Sequence, residues 1–409
     1  MRKSEERRAD VAVVGGGVAG LAAARELGRE GLSVVVFDAA HGRAPASNAA
    51  AGMLAPQAEA DCADELFDLL CASRDMYPEF AESLREESGV CVELDRTGTL
   101  YLAFTEEDER ETDARFRWQR RAGLSVERLT AEEARALEPG VSPRVRAALR
   151  FPRDWQVENR QLVRALRASA EYFGARVLED TEAHGVYVSR DGRAGGVVTP
   201  GGIVRAGAVV FAAGAWSSGL RKLFNPPPRR EIEEEALADD PRVEPVRGQV
   251  LCFRRDDTQA PLFRHVVYSP RGYVVPRRDG RLLAGSTTEH AGFDCRVTVE
   301  GINSVRARAE EIAPALAALT PSDSWAGLRP RAWDGLPVIG ESEEVRGLFY
   351  ATGYYRNGIL LAPASGRIVA DLVSRGTTNV AAVALTAFSP ARSARTTAAA
   401  ARALVRSNV

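Results

Sequence analysis

From residue 9 onward, short apolar runs alternate with stretches of helical spacing. Residues 11–14 (Val-Ala-Val-Val) are uniformly apolar, as in a strand buried on both faces. Leu21, Ala24 and Leu27 then share one helical face, Gly31 ends that helix, and residues 34–37 form a second apolar run. A βαβ unit over residues 9–38 is predicted. Leu66, Leu69, Leu70, Ser73, Tyr77, Phe80 and Leu84 trace a face of a longer helix, with a bend or break expected near Pro78. Strand-like runs follow at 92–94 and 98–104, then a charged helical region to about residue 138, a helix around 161–173, and strands at 175–178 and 204–213.

From Val246 the signal is alternating and β-rich, at 249–253, 273–276 and 281–285, which predicts a mostly antiparallel second domain. A further apolar stretch from Leu348 runs into a helix ending near Leu372. Pro226 to Pro228 and the acidic run 231–240 read as a solvated surface loop, and the Ala/Thr/Ser-rich residues 376–409 as a mobile tail.

The glycines between the first two apolar runs add chemistry. Gly15, Gly17 and Gly20 form G-x-G-x-x-G after a strand and at the start of a helix, and Asp38 closes the second strand ~20 residues on. Gly15 permits the tight turn, Gly17 lets the backbone approach a pyrophosphate, and Gly20 lets helix and strand pack closely. The first helical N–H groups then face phosphates, and Asp38 can accept hydrogen bonds from a ribose. FAD and NAD both use this fingerprint. Residues 44–56, rich in alanine with Ser47, Asn48 and Gly52, suit packing against a flat ring or a backbone, or the start of an alanine-rich helix.

With 409 residues the chain has length for two or three domains and a large core. Its net charge of −2 gives no basic field for nucleic acid, so a small-molecule partner is expected. Five cysteines without C-x-x-C spacing and four scattered histidines predict neither a disulfide framework nor a zinc site. No apolar run reaches membrane-spanning length and no secretory leader precedes the first strand, so a cytoplasmic location without membrane insertion is expected.

In order and spacing, several segments resemble the D-amino-acid oxidase-like family of FAD-dependent amine and amino-acid oxidoreductases, and within it the glycine oxidases of thiamine synthesis most closely. They are residues 11–20, 47–56, Val246-Arg247-Gly248-Gln249, Gly327-Leu328-Arg329-Pro330, 334–340 and 353–363. The resemblance implies an α/β chain, α+β overall: a Rossmann-like FAD-binding domain with an interleaved, mainly antiparallel β substrate-binding domain. The first would take residues 9–94, 150–224 and 326–375, and the second residues 95–149 and 225–325.

Carried over position by position, the resemblance implies that Val18, Ala19, Asp38, Ala39, Ala46, Ser47, Ala51, Gly52 and Met53 line a non-covalent FAD. Val177 would touch the adenine through its backbone, and Gly214 would end a strand beside the cofactor. Gly353, Tyr354, Tyr355, Arg356, Asn357, Gly358, Ile359 and Leu360 would close over the isoalloxazine. Arg329 matches the arginine that pairs with a substrate carboxylate, Arg356 a second one beside it, and Tyr273 a tyrosine whose hydroxyl reaches the same group. A guanidinium fork suits a carboxylate because two N–H donors match two oxygens. Three positions depart from the pattern: Asp38 replaces a more usual glutamate, Tyr354 a common histidine, and Thr288 a methionine that faces the substrate.

The implied reaction is oxidative deamination of glycine or a related small amino acid or secondary amine. Hydride passes from the α carbon to the flavin, giving an imine and, with O2, hydrogen peroxide. It needs positioning more than a general base; His265 and His290 are the histidines that could act as acid or base. The sequence leaves open a dehydrogenase passing electrons to a quinone or carrier, an NAD-dependent dehydrogenase, and a flavin-binding scaffold. A disulfide reductase lacks its redox cysteine pair. A homo-oligomer is implied by the family alone.

Overall fold

The computed structural model describes residues 8–39, 44–224, 234–237, 239–254, 261–380 and 385–392. Its first sheet is built on parallel strands in the order Arg176–Glu179, Val34–Asp38, Arg8–Val14, Gly202–Phe211 and Leu348–Thr352. The predicted βαβ unit is its centre. Val11, Ala12 and Val13 are fully buried because helices cover one face and further strands the other, so neither face of that strand can be polar. The helix Val18–Arg29 crosses between the first two strands and packs on Asn159–Tyr172 and Ala362–Arg375.

The second sheet has eight strands among the described residues, antiparallel except where Val266–Ser269 runs parallel to Thr99–Ala103. Its two long strands, Val243–Arg254 and Pro321–Ala332, pair in a register that sets Val246 against Arg329 and Gly248 against Gly327. One face packs under the helix Val299–Ile312 in an apolar cluster including Leu251, Phe253 and Val305. The opposite face, with Val250 and Tyr273, turns towards Ala51 and Met53 of the first half.

The parallel and antiparallel sheets thus match the expected fold class, with local differences. The helix Glu65–Ser88 is not broken at Pro78, which stands inside it. Residues 92–94 form no strand; Glu93 adopts a left-handed φ of 49°, which turns the chain before Asp95 bridges to Gln156. The charged region to 138 is two helices, Glu106–Arg121 and Ala131–Leu137, separated by the strand Glu127–Thr130. An antiparallel pair, Gly185–Val188 and Ala194–Thr199, extends the first sheet where no element was predicted.

The strand Pro321–Ala332 lies wholly in the second sheet, although its residues from 326 were expected with the first half. Residues 385–392, placed in a mobile tail by the sequence, are anchored. Phe388 is fully buried in the first core, and Arg392 pairs with Asp334 at 2.7 Å. A large aromatic ring with an apolar site to fill outweighs the polar composition around it. Most of the rest of that tail, Pro226 to Pro228 and much of the acidic run lie outside the described residues. No helix among the described residues is long and apolar enough to cross a membrane.

Candidate functional site

The carboxyl ends of the parallel strands converge on one cavity of about 400 Å³, lined there by Val14, Asp38, Phe211 and Thr352. That is where open α/β sheets bind ligands, and the volume falls within the range of small-molecule and cofactor pockets. Gly15 turns with φ +113°, and a Cβ there would stand 2.3 Å from the Ala212 carbonyl oxygen. Only glycine fits. Gly20 allows the helix to settle on that turn, since a Cβ on it would meet the Gly15 carbonyl at 2.0 Å. The helix therefore starts at the cavity wall, with Gly17, Val18 and Ala19 lining it.

Ser47 closes this end. Its Oγ accepts the Val18 N–H at 3.0 Å, from a short helix, Ala46–Ala49, that leads into the extended residues of the wall. Both readings of the alanine-rich segment thus hold in part. Arg277 fixes the wall from behind, donating to the carbonyls of Ala51 and Val157 at 2.8 and 2.7 Å. Burial lowers that guanidinium's pKa to about 10. Asp38 is joined at 3.1 Å by Arg167.

Backbone pairing then ties the far wall to the second sheet. The Leu328 N–H donates to the Ala44 carbonyl at 3.1 Å, and the Tyr355 N–H to the Pro330 carbonyl at 2.6 Å. Arg329 lies between these two ties. Its Nη1 donates to the Thr287 carbonyl at 3.1 Å and its Nη2 to Ser286 Oγ at 2.6 Å. Gly248 makes the space, because a Cβ there would fall 2.2 Å from Arg329 Nη2. No carboxylate among the described residues forms an ion pair with Arg329, and burial lowers its proton affinity, partly countered by Tyr273.

Arg356 stands near it but is compensated. Its Nε lies 3.7 Å from Glu59 Oε2 and its Nη2 donates to the Tyr268 hydroxyl at 3.3 Å. The charge of Glu59 raises its pKa further, against the effect of burial. Glu59 ends the short helix Pro56–Glu59, whose Gln57 and Ala58 N–H groups donate to the buried Asp154 carboxylate at 3.2 and 2.8 Å. Burial drives Asp154 up to about 7.

Of the residues singled out from the sequence, Gly15, Gly17, Val18, Ala19, Asp38, Ala39, Ala46, Ser47, Ala51, Gly52 and Met53 line the one cavity. So do Gly214, Tyr273, Arg329 and every residue from Tyr354 to Leu360. Gly20, Val177 and Gly353 do not. Gly20 packs under the turn, Val177 pairs with Val36 one strand away, and Gly353 turns the chain at φ +72° between the lining residues Thr352 and Tyr354. Thr288 is exposed and outside the wall. His265 is buried against Glu138 at 2.7 Å and His290 is solvent-exposed beside Glu244, so neither reaches the cavity as an acid or base.

Sequence reading missed Glu59, Ser286 and Trp216. Trp216 had a signal, because it follows the carboxyl end of the apolar strand Gly202–Phe211. Glu59 and Ser286 had none, since long-range packing alone brings them to the wall.

The family model described as FAD dependent oxidoreductase (DAO) matches residues 10–372. A glycine oxidase of Geobacillus kaustophilus is 38% identical over 371 residues, 90% of this chain and 93% of the relative. A solved structure of glycine oxidase from Geobacillus kaustophilus superposes with a TM-score of 0.83 at 36% identity, covering 94% of this chain and 98% of that one. The bifunctional protein ThiO/ThiG of Synechocystis is 34% identical over 89% of this chain, which spans only 51% of that relative. A dinucleotide turn, an acid at the second strand end and, on the adjoining sheet, an arginine held by neutral acceptors thus stand in a chain matched almost throughout, and the protein belongs to the FAD-dependent oxidoreductase family of D-amino-acid oxidase type.

Proposed function

We propose that this chain catalyses the FAD-dependent oxidative deamination of glycine or a closely related small amine, with dioxygen as acceptor, and that its imine product feeds thiazole synthesis for thiamine. The names of its relatives support the substrate and the setting. The carrying observation is Arg329, a guanidinium held by two neutral acceptors and facing the cavity without an ion pair among the described residues. Such a group is completed by an anionic ligand, and a carboxylate matches its fork.

The donor set fits FAD. The Gly17 and Ala19 N–H groups at the helix start suit a pyrophosphate, Asp38 suits the ribose hydroxyls, and the small residues from Ala46 to Ala51 with Gly52 leave room for a flat ring. Bound there, FAD supplies a two-electron acceptor whose electrons return to dioxygen as hydrogen peroxide. The residues 9–94, 150–224 and those after Ala332 form the half that holds it, and the second sheet the half that holds substrate.

In this reading Arg329 binds the carboxylate, and Tyr273 directs its hydroxyl to the same group. The α carbon is thereby fixed relative to the wall formed by Tyr354 to Leu360, and orientation supplies much of the rate. The amine enters neutral, so its oxidation to the imine requires no side-chain base. The imine enters thiazole synthesis, or water hydrolyses it to the oxo acid with ammonia from glycine or methylamine from sarcosine. Arg329→Ala retains its flavin and loses most turnover on glycine and sarcosine, read by peroxide formation and flavin absorbance. Wild-type kcat/KM in that variant refutes the assignment.

A further inference from the structure

The substrate end of the cavity carries two guanidinium groups and one carboxylate: Arg329, Arg356 and Glu59. Their arrangement is unequal. Glu59 stands 3.7 Å from Arg356, whereas among the described residues Arg329 has only the Thr287 carbonyl and Ser286 Oγ. We propose that Glu59 is the specificity residue that limits this enzyme to substrates with a single carboxylate, by occupying Arg356 and leaving one guanidinium free.

Two features make Glu59 a durable occupant rather than a side chain that swings aside. The backbone before it is fixed to Asp154, which is completely buried. The Gln57 side chain is also locked, donating to Gln119 Oε1 at 2.9 Å and to the Ser125 carbonyl at 3.0 Å. Arg356 is held in turn by Tyr268, whose ring stacks between those of Tyr101 and Tyr273 at 5.6 and 6.4 Å. A second carboxylate on a substrate gripped by Arg329 would come to an arginine already paired with Glu59 and would share that end of the cavity with the Glu59 charge. Like charges brought together in a partly buried site are strongly unfavourable. With Glu59 neutral, the same pocket has two cationic anchors and suits a dianion.

The inference rests on the carboxylate role of Arg329, and sarcosine and iminodiacetate test it directly, since the second is the first with its methyl carrying a carboxylate. In the wild-type holoenzyme sarcosine is favoured. Glu59→Gln raises the iminodiacetate-to-sarcosine ratio of kcat/KM by about 100-fold, while Glu59→Asp, with its charge kept, leaves the ratio near the wild-type value. A parallel titration of the oxidised holoenzymes with acetate and malonate, followed by flavin absorbance, reads the same preference without turnover. Glu59→Gln tightens malonate at least ~10-fold relative to acetate.

An unchanged malonate-to-acetate ratio in a flavin-loaded Glu59→Gln variant overturns the proposal, as does an unchanged substrate ratio. Failure of wild-type flavin to be reduced by glycine or sarcosine would instead overturn the proposed function, while the anion titration still decides the role of Glu59.

Discussion

Replacing Gly248 by alanine attacks the proposed anchor without altering it chemically. Gly248 lies in the strand Val243–Arg254, and its backbone is not in the left-handed region, so alanine can adopt it. The new methyl group would lie 2.2, 2.3 and 2.4 Å from Nη2, Nη1 and Cζ of Arg329. Ordinary contact begins near 3.4 Å, so the guanidinium must retreat by about 1.2 Å. Moving that far breaks its bonds to Ser286 and Thr287 and spoils a two-point grip on a carboxylate. Loss of a buried charged anchor costs ~2–4 kcal/mol, a fall of roughly 30- to 1,000-fold in kcat/KM. A long side chain can swing away cheaply, so the melting temperature and flavin content of Gly248→Ala stay close to wild type. Steady-state kinetics on glycine and sarcosine, with flavin measured on the same preparation, check both halves. A fully loaded variant within threefold of wild-type kcat/KM would refute the placement of Arg329 at the substrate.

Asp154 supplies a pH test. Its folded pKa of about 7 lies above the ordinary carboxylate value, so the native state favours the protonated form. The stabilisation is fully present below about pH 4 and is lost as pH rises through 7. Between pH 5 and 8 this site removes about 3 kcal/mol from the wild type but nothing from Asp154→Asn, so the variant gains about 3 °C on the wild type in thermal unfolding; a gap that stays constant across pH counts against the buried acid. Phe388→Ala empties a fully buried site and costs ~3–5 kcal/mol, seen as a lower holoenzyme melting temperature. A melting temperature equal to wild type would mean that this segment does not pack on the first core.

The parts of the site legible in the sequence are those whose residue type is forced locally. Gly15 and Gly20 are required by contacts within the βαβ unit, and Asp38 ends a strand whose apolar run announces it. Arg329 was legible through its G-L-R-P setting, though the reason Gly248 precedes Gln249 appears only when two strands pair. Glu59 was hidden because its position depends on Asp154, 95 residues later, and on Arg356 far beyond. The antiparallel pair at 185–199 escaped notice since glycines interrupt its alternation, one of them, Gly196, at φ +142° beside a shift in register. Val177 lies in a strand that the sequence announced, and its pairing with Val36 sets that strand beside the one that ends at Asp38.

The strand Leu348–Thr352 has a consequence for biosynthesis. It pairs with Val209 to Phe211, yet leaves the ribosome only after the 136 residues that separate Phe211 from Leu348. Throughout that interval the nascent chain carries an unpaired parallel edge and an incomplete pocket, the kind of surface that invites chaperones or aggregation. Prosthetic-group loading is therefore a late, largely post-translational event, and chains truncated before this strand should accumulate as insoluble, colourless material.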